Sequence, residues 1–297
     1  MRKSLVATAT ALSMAAAGLV ATGVVIARPA TAAIDDVPAD CFVAAAAYRS
    51  DGQALSYRYS AKKPSTQAIS GDKLGWVPTG LVTFLESGDD NGYRNRSLVT
   101  HPTNGYIYAV DRVVERVDGG WKATKHTVTR VKAGFGGTRL LTMAYPYLYR
   151  VAGTSLYRYK LSFSNGVPTL SAPLQLSSSG WDVVNTLAYE RTAGVGSAAV
   201  DTLIGATSTG HLKEWRINYA TPAKITGKSL RASGWGSFTS VNTGFCNSHP
   251  NGRALLGITA DGRASVHFDA NRTDGVGTDI KGGSLGSLGW TAKSYNH

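Results

Sequence analysis

Leu255-Leu256-Gly257-Ile258-Thr259-Ala260-Asp261-Gly262 reads as a strand running into a tight turn. Its apolar and β-branched residues suit a buried, pleated segment, and Asp-Gly supplies the positive φ that a short hairpin needs. Leu203-Ile204-Gly205-Ala206-Thr207-Ser208-Thr209-Gly210 has the same form. Ala45 to Gly52 (AAAYRSDG) and Tyr147 to Thr154 (YLYRVAGT) repeat it, with Asp51-Gly52 as the second Asp-Gly turn. Five residues past each turn stands a ring: Tyr57, Tyr159, Trp215 and His267. Tyr106 to Val110 (YIYAV) opens the remaining unit, which is longer and less regular.

A second signal keeps step with the first. Gly followed by a large aromatic recurs at Gly75-Trp76, Gly134-Phe135, Gly180-Trp181, Gly234-Trp235 and Gly289-Trp290, with spacings of 59, 46, 54 and 55 residues. Each unit reads as a Gly-aromatic strand, a loop, a two-strand hairpin and a short outer strand. Four strands in a repeat of this length are the arithmetic of a propeller blade. The expected fold is all-β: a five-bladed β-propeller with four-stranded blades. A β-sandwich is the competing architecture, but it does not require units in register.

The composition agrees with a folded β protein. Of 297 residues 43% are hydrophobic and 17% charged, which excludes a disordered chain. Two cysteines are too few for a disulfide-dense mini-protein. Arg2 and Lys3 precede an uncharged, Ala-rich apolar run over residues 4–27, followed by small residues at Thr31 and Ala33. Residues 1–33 are therefore expected to be a signal peptide, with a retained N-terminal anchor as the alternative. Residues 34–297 are expected to form one secreted, extracellular domain. Removing Arg2, Lys3 and Arg28 lowers the formal charge from +12 to +9.

The chain begins in mid-unit and stops after a Gly-Trp strand, Gly289 to Tyr295. The two fragments make up one blade if the C-terminal strand pairs with the N-terminal hairpin, which would satisfy the sheet edges and close the ring. Cys41 and Cys246 then lie on neighbouring blades, either bonded across that seam or as two separate thiols.

His101-Pro102-Thr103-Asn104-Gly105-Tyr106-Ile107-Tyr108-Ala109-Val110 resembles the repeat of the tachylectin family of five-bladed propeller lectins. Tyr157-Arg158 is similar to the Tyr-Lys that ends the family's next strand, and the ending on a Gly-Trp strand is similar too. The resemblance implies a carbohydrate-binding propeller. The family's Asp-Asn-Trp outer-strand segment has no counterpart here, so no sugar specificity follows from it.

Sugars present apolar C–H faces and fixed hydroxyls, which call for planar polar groups beside an aromatic ring. The stretch Ser87 to Asn104 (SGDDNGYRNRSLVTHPTN) is the richest in such groups and is expected to be a projecting loop. The candidate ligand residues are Asp89, Asp90, Asn91, Tyr93, Asn95, Arg96, Asn104 and Tyr106. The stretch Glu190 to Asp201 falls at the corresponding place in another unit and offers little to bind with. Catalysis is not expected. The four glutamates, Glu86, Glu115, Glu190 and Glu214, are scattered, and Asp51 and Asp261 belong to turns. A glycosidase needs carboxylates converging on one bond. Asp269, Asp274 and Asp279 lack the Ca²⁺-loop spacing, and no nucleophile-elbow, zincin or phosphate-loop motif occurs, so neither metal nor cofactor is expected. The expected function is a secreted, non-catalytic lectin for cell-surface or cell-wall glycans, acting alone or as the targeting subunit of a secreted toxin assembly. The alternative is a protein–protein adaptor within a secreted complex. Nucleic acid and an integral membrane span after cleavage are not expected.

Overall fold

A computed structural model describes residues 34–89, 91–290 and 294–296. The expected signal peptide and Asp90 lie outside the described residues. The described chain is built from strands, with only two short 3-10 turns, Ile34–Asp36 and Gly196–Ala198.

The strands group into four-stranded antiparallel blades. β1 (Cys41–Tyr48), β2 (Gln53–Ser60) and β3 (Lys63–Lys73) pair in order. They are followed by β4 (Gly80–Gly88), β5 (Gly92–Thr100), β6 (Tyr106–Val117) and β7 (Gly120–Ala133). Next come β8 (Thr138–Ala144), β9 (Tyr147–Ala152) and β10 (Ser155–Ser164), with β11 (Val167–Leu170) and β12 (Leu174–Ser177) both pairing with β10. Then follow β13 (Ala188–Ala193), β14 (Val200–Ala206), β15 (Leu212–Asn218) and β16 (Thr226–Arg231). Last are β17 (Phe238–Cys246), β18 (Arg253–Thr259), β19 (Arg263–Asp269) and β20 (Lys281–Ser287). The C-terminal β21 (Ser294–Asn296) returns to pair antiparallel with β1, with Tyr295 opposite Ala46.

The blades are not all separate sheets. Ser70 of β3 bridges to Lys122 of β7, and β1 continues onto β17 at Cys41↔Cys246 and Phe42↔Phe245. These short links fuse the first, second and last blades into one twelve-stranded sheet. Cys41 and Cys246, directly opposite in that register, form a disulfide.

The repeated residues act as staples between blades. The backbone N–H groups of Phe135, Trp181 and Trp235 donate to the carbonyls of Gly105, Thr154 and Gly210, in the second hairpin turn of the preceding blade. Their rings pack onto the third strand of the following blade: Phe135 on Tyr159 (4.9 Å between centroids), Trp181 on Trp215 (5.2 Å) and Trp235 on His267 (4.9 Å). Trp290 stacks on Tyr57 at 4.3 Å and 3°, and its indole N–H donates to Thr66. Trp76 meets Tyr108 at 5.7 Å. The same residue pair thus serves each unit, which explains why both signals recur with one period.

The core lies between blades. Apolar clusters join β1–β2 to β4–β6, β4–β7 to β8–β11, β8–β12 to β13–β15, β13–β16 to β17–β18, and β18–β19 back to β1–β2. Gly52, at φ +81°, shows how tight the turns are, since a Cβ there would lie 1.9 Å from the Leu74 carbonyl oxygen. Gly52→Ala is expected to cost more than about 1 kcal/mol. A urea melt that left the midpoint unchanged would show that the turn can relax.

Candidate functional site

Ser87 to Asn104 is not a projecting loop. Gly80–Gly88 and Gly92–Thr100 form a long hairpin, with Glu86 opposite Asn95 and Gly88 opposite Tyr93. Between the strands, Asp89 Oδ1 accepts the backbone N–H groups of Asn91 (2.8 Å) and Gly92 (3.1 Å). Tyr106 begins the third strand of this blade rather than its hairpin. The strand reading divides the candidate residues, because side chains alternate between faces. Tyr93, Asn95 and Ser97 face a cavity of about 750 Å³ between the first and second blades. Arg94 and Arg96 face away, where both pair with Asp111 (2.6 and 3.4 Å). Arg96 also lies over the rings of Phe84 and Phe163 and donates to the Gly166 carbonyl.

Asp89 lines the cavity, whereas Asn91 contributes its backbone to the turn. Asn104 and Tyr106 are not brought to it. Asn104 Nδ2 donates to the Tyr108 hydroxyl, and Arg130 stacks over Tyr106 at 4.3 Å, in an aromatic group with Trp76 and His101.

Residues that the sequence did not single out complete the cavity. β2 contributes Ser56 and Arg58, β3 contributes Asp72, and the β6–β7 hairpin contributes Arg112, Arg116 and Trp121. Beneath it lies a buried network. Arg112 pairs with Asp72 (2.6 Å) and donates to the Tyr48 hydroxyl (2.5 Å), Ser97 (3.2 Å) and Asn95 (3.3 Å). His126 Nε2 stands 3.2 Å from Asp72, and Asn95 Nδ2 donates to Glu86 at 2.8 Å. Burial acts to raise the Asp72 pKa, but the hydrogen bond from His126 and the charge of Arg112 hold it below the ordinary carboxylate range. Burial, with the Glu86 charge behind it, pushes the Tyr93 phenol up to about 12, so its hydroxyl keeps its proton at any physiological pH. The Tyr93 and Trp121 rings lie 5.6 Å apart and both border the cavity. No sequence signal could have assembled this set, because its members come from two blades and adjoin only once the blades pack.

The scattered glutamates also converge, in a second place. Arg253, 1% exposed, pairs with Asp269 (2.7 Å), Glu214 (2.9 Å) and Glu190 (3.4 Å). Arg272 and Arg191 add contacts to Glu190 at 3.7 and 4.0 Å. Burial raises the pKa of Glu190 and of Asp269, with Arg253 opposing it in both. Glu190 also borders a cavity of about 140 Å³ with Thr142 and Asn242, so the Glu190 to Asp201 stretch is richer in buried polar groups than its composition suggested. Asp201 accepts hydrogen bonds from Tyr149 (2.6 Å), Thr192 (2.6 Å) and Tyr219 (3.1 Å). Among the described residues, no three His, Cys, Asp or Glu side chains are grouped to hold a metal ion.

No protein-family model matches the chain, and no curated protein matches it. Several solved structures are similar at low identity. BBS1N, solved in complex with ARL6DN, is 15% identical over 80% of this chain and 68% of that one, with a TM-score of 0.37. The periplasmic gluconolactonase PpgL of Pseudomonas aeruginosa is 10% identical over 83% and 97%, with a TM-score of 0.35. A candidate 6-phosphogluconolactonase of Bacteroides fragilis is 8% identical over 87% and 97%, with a TM-score of 0.34. At these values the likenesses carry no argument about family or chemistry. The propeller-like reading rests on the four-stranded blades and the staples between them. No helix among the described residues is long and apolar enough to cross a membrane.

Proposed function

We propose that this protein is a secreted, non-catalytic carbohydrate-binding propeller whose ligand site is the cavity between the first and second blades. The observation that carries this reading is the pairing of Tyr93 and Trp121 beside Asn95, Ser97 and Ser56 in one cavity of about 750 Å³. Rings take up the C–H face of a sugar, while amides and hydroxyls fix its hydroxyls. The disulfide agrees with export to an oxidising compartment. Non-catalysis is supported by the state of the lining carboxylates. Asp72 is held ionised in an ion pair, and Glu86 and Asp89 are engaged by Asn95 and by the turn backbone. Asp72, held below the ordinary carboxylate range, lacks the raised pKa that a general acid requires.

The ring reading belongs to the same proposal. Five blades closed on themselves account for the contacts of β4 with β8, β8 with β13, β13 with β17, β17 with β21, and β21 with β4. They also account for the apolar cluster that joins β18–β19 back to β1–β2. In this reading β21 is the first strand of the blade that β1–β3 complete, and Trp290 on Tyr57 is its staple.

Glycan-array binding of the purified protein, repeated at low and high salt, tests the function. Saturable binding that free sugar competes away and that high salt weakens but does not abolish is expected. Trp121→Ala is expected to weaken it by roughly 10-fold or more, the loss of one aromatic hot spot. Absence of glycan binding, or binding abolished by salt alone, would favour the adaptor reading instead.

A further inference from the structure

We propose that the cavity between the first two blades selects saccharides bearing a carboxylate, with the Arg58 guanidinium as the recognising group; this rests on the carbohydrate-binding reading above. The carboxylates that line the cavity are already engaged. Asp72 is neutralised by Arg112 and faces His126. Glu86 accepts from Asn95, and Asp89 accepts two backbone N–H groups of its own turn. Arg58 differs from these. Its Nε donates to Ser56 Oγ at 3.1 Å, which anchors the head group against the cavity wall. Among the described residues no carboxylate lies within ion-pair distance of it, and its two terminal amino groups have no hydrogen-bond partner.

A half-buried, unpaired guanidinium is an uncommon thing to leave in a wall. With Nε fixed, the terminal amino groups form a planar fork whose geometry matches the two oxygens of a carboxylate. Ser56 sets the orientation of that fork before any ligand arrives. Partial burial lessens the screening that makes exposed pairs weak, so the contact is stronger than a surface salt bridge. Tyr93 and Trp121 supply the apolar surface for the pyranose ring in the same cavity. A hexuronate residue carries both features: one carboxylate on a ring with C–H faces. The excess of 31 Lys and Arg over 19 Asp and Glu draws such polyanions to the protein from a distance but does not distinguish among them.

The test uses titration calorimetry on the purified protein with two probes, an oligohexuronate and the neutral oligosaccharide made from it by carboxyl reduction. The uronate is expected to bind about 10-fold or more tightly, the scale of a charge-assisted hydrogen-bond pair. Arg58→Gln is expected to erase that preference by weakening the uronate, and Arg58→Lys to restore part of it. Thermal melts of both variants verify the fold. Equal binding of the two probes overturns the carboxylate selectivity, a preference that survives Arg58→Gln overturns Arg58 as the recognising group, and either result leaves the carbohydrate reading standing. Failure of both probes, together with an empty glycan array, overturns both.

Discussion

Arg253→Met is expected to destabilise the protein by roughly 3–5 kcal/mol, about 10–20 °C in Tm. The side chain is fully buried and pairs with Glu190, Glu214 and Asp269 from two blades. Methionine fills much the same volume, so the loss is electrostatic: Glu190 and Glu214 are left with the weaker contacts of Arg191 and Arg272, and Asp269 loses its ion pair with Arg253. The pH dependence identifies the cause. Burial already raises Glu190 and Asp269, and removal of Arg253 raises them further. A carboxyl whose folded pKa lies above its unfolded value favours the folded state below the unfolded pKa. That advantage is lost as pH rises through the folded pKa. The deficit of the variant against the parent is therefore expected to be smallest near pH 4 and largest at neutral pH. Guanidinium melts of both proteins at the two pH values measure it, and a deficit independent of pH would assign the loss to packing.

Replacing Cys41 and Cys246 together by Ala is expected to cost about 5 kcal/mol, roughly 10–20 °C in Tm. The bond joins residues 205 apart, so in the chain-entropy account its main effect is to restrict the unfolded chain. It also ties β1 to β17, where the first and last blades meet. The double variant is expected to melt no lower than either single variant, because one missing partner already opens the loop. Calorimetry of the parent with and without reductant is expected to show the same decrement. A double variant with an unchanged Tm would mean that β21 and the Trp290–Tyr57 stack hold the seam without help from the disulfide.

The repeating parts of this molecule were legible in the sequence because they depend on local chemistry. Gly at a turn that needs positive φ, a ring five residues later and a Gly-aromatic pair before each blade recur as text, since the same contact recurs in space. Their meeting as Phe135–Tyr159, Trp181–Trp215, Trp235–His267 and Trp290–Tyr57 follows from that common period. The pairing of the C-terminal strand with β1 was legible for a related reason: each fragment lacked what the other had.

The candidate site was only half legible. Asp89, Tyr93 and Asn95 were singled out by residue type, but the stretch read as a loop because its Gly, Asn and Asp content resembles turn chemistry. Cross-strand pairing with β4 and β6 overrides that composition, and period-2 alternation then sends Arg94 and Arg96 to the opposite face. Asn104 and Tyr106 lie close to Tyr93 in sequence, yet the length of β5 carries them to a separate aromatic group. Arg58, Asp72, Arg112 and Trp121, like the carboxylates around Arg253, gave no signal at all. Sequence by itself determined the all-β class, the period of the blades, the staples and the pairing of the ends, because each depends on residues whose spacing repeats. Tertiary structure alone decided which side chains share a cavity and which buried charges are paired. Those contacts run between blades, where sequence separation carries no information and packing sets the distance.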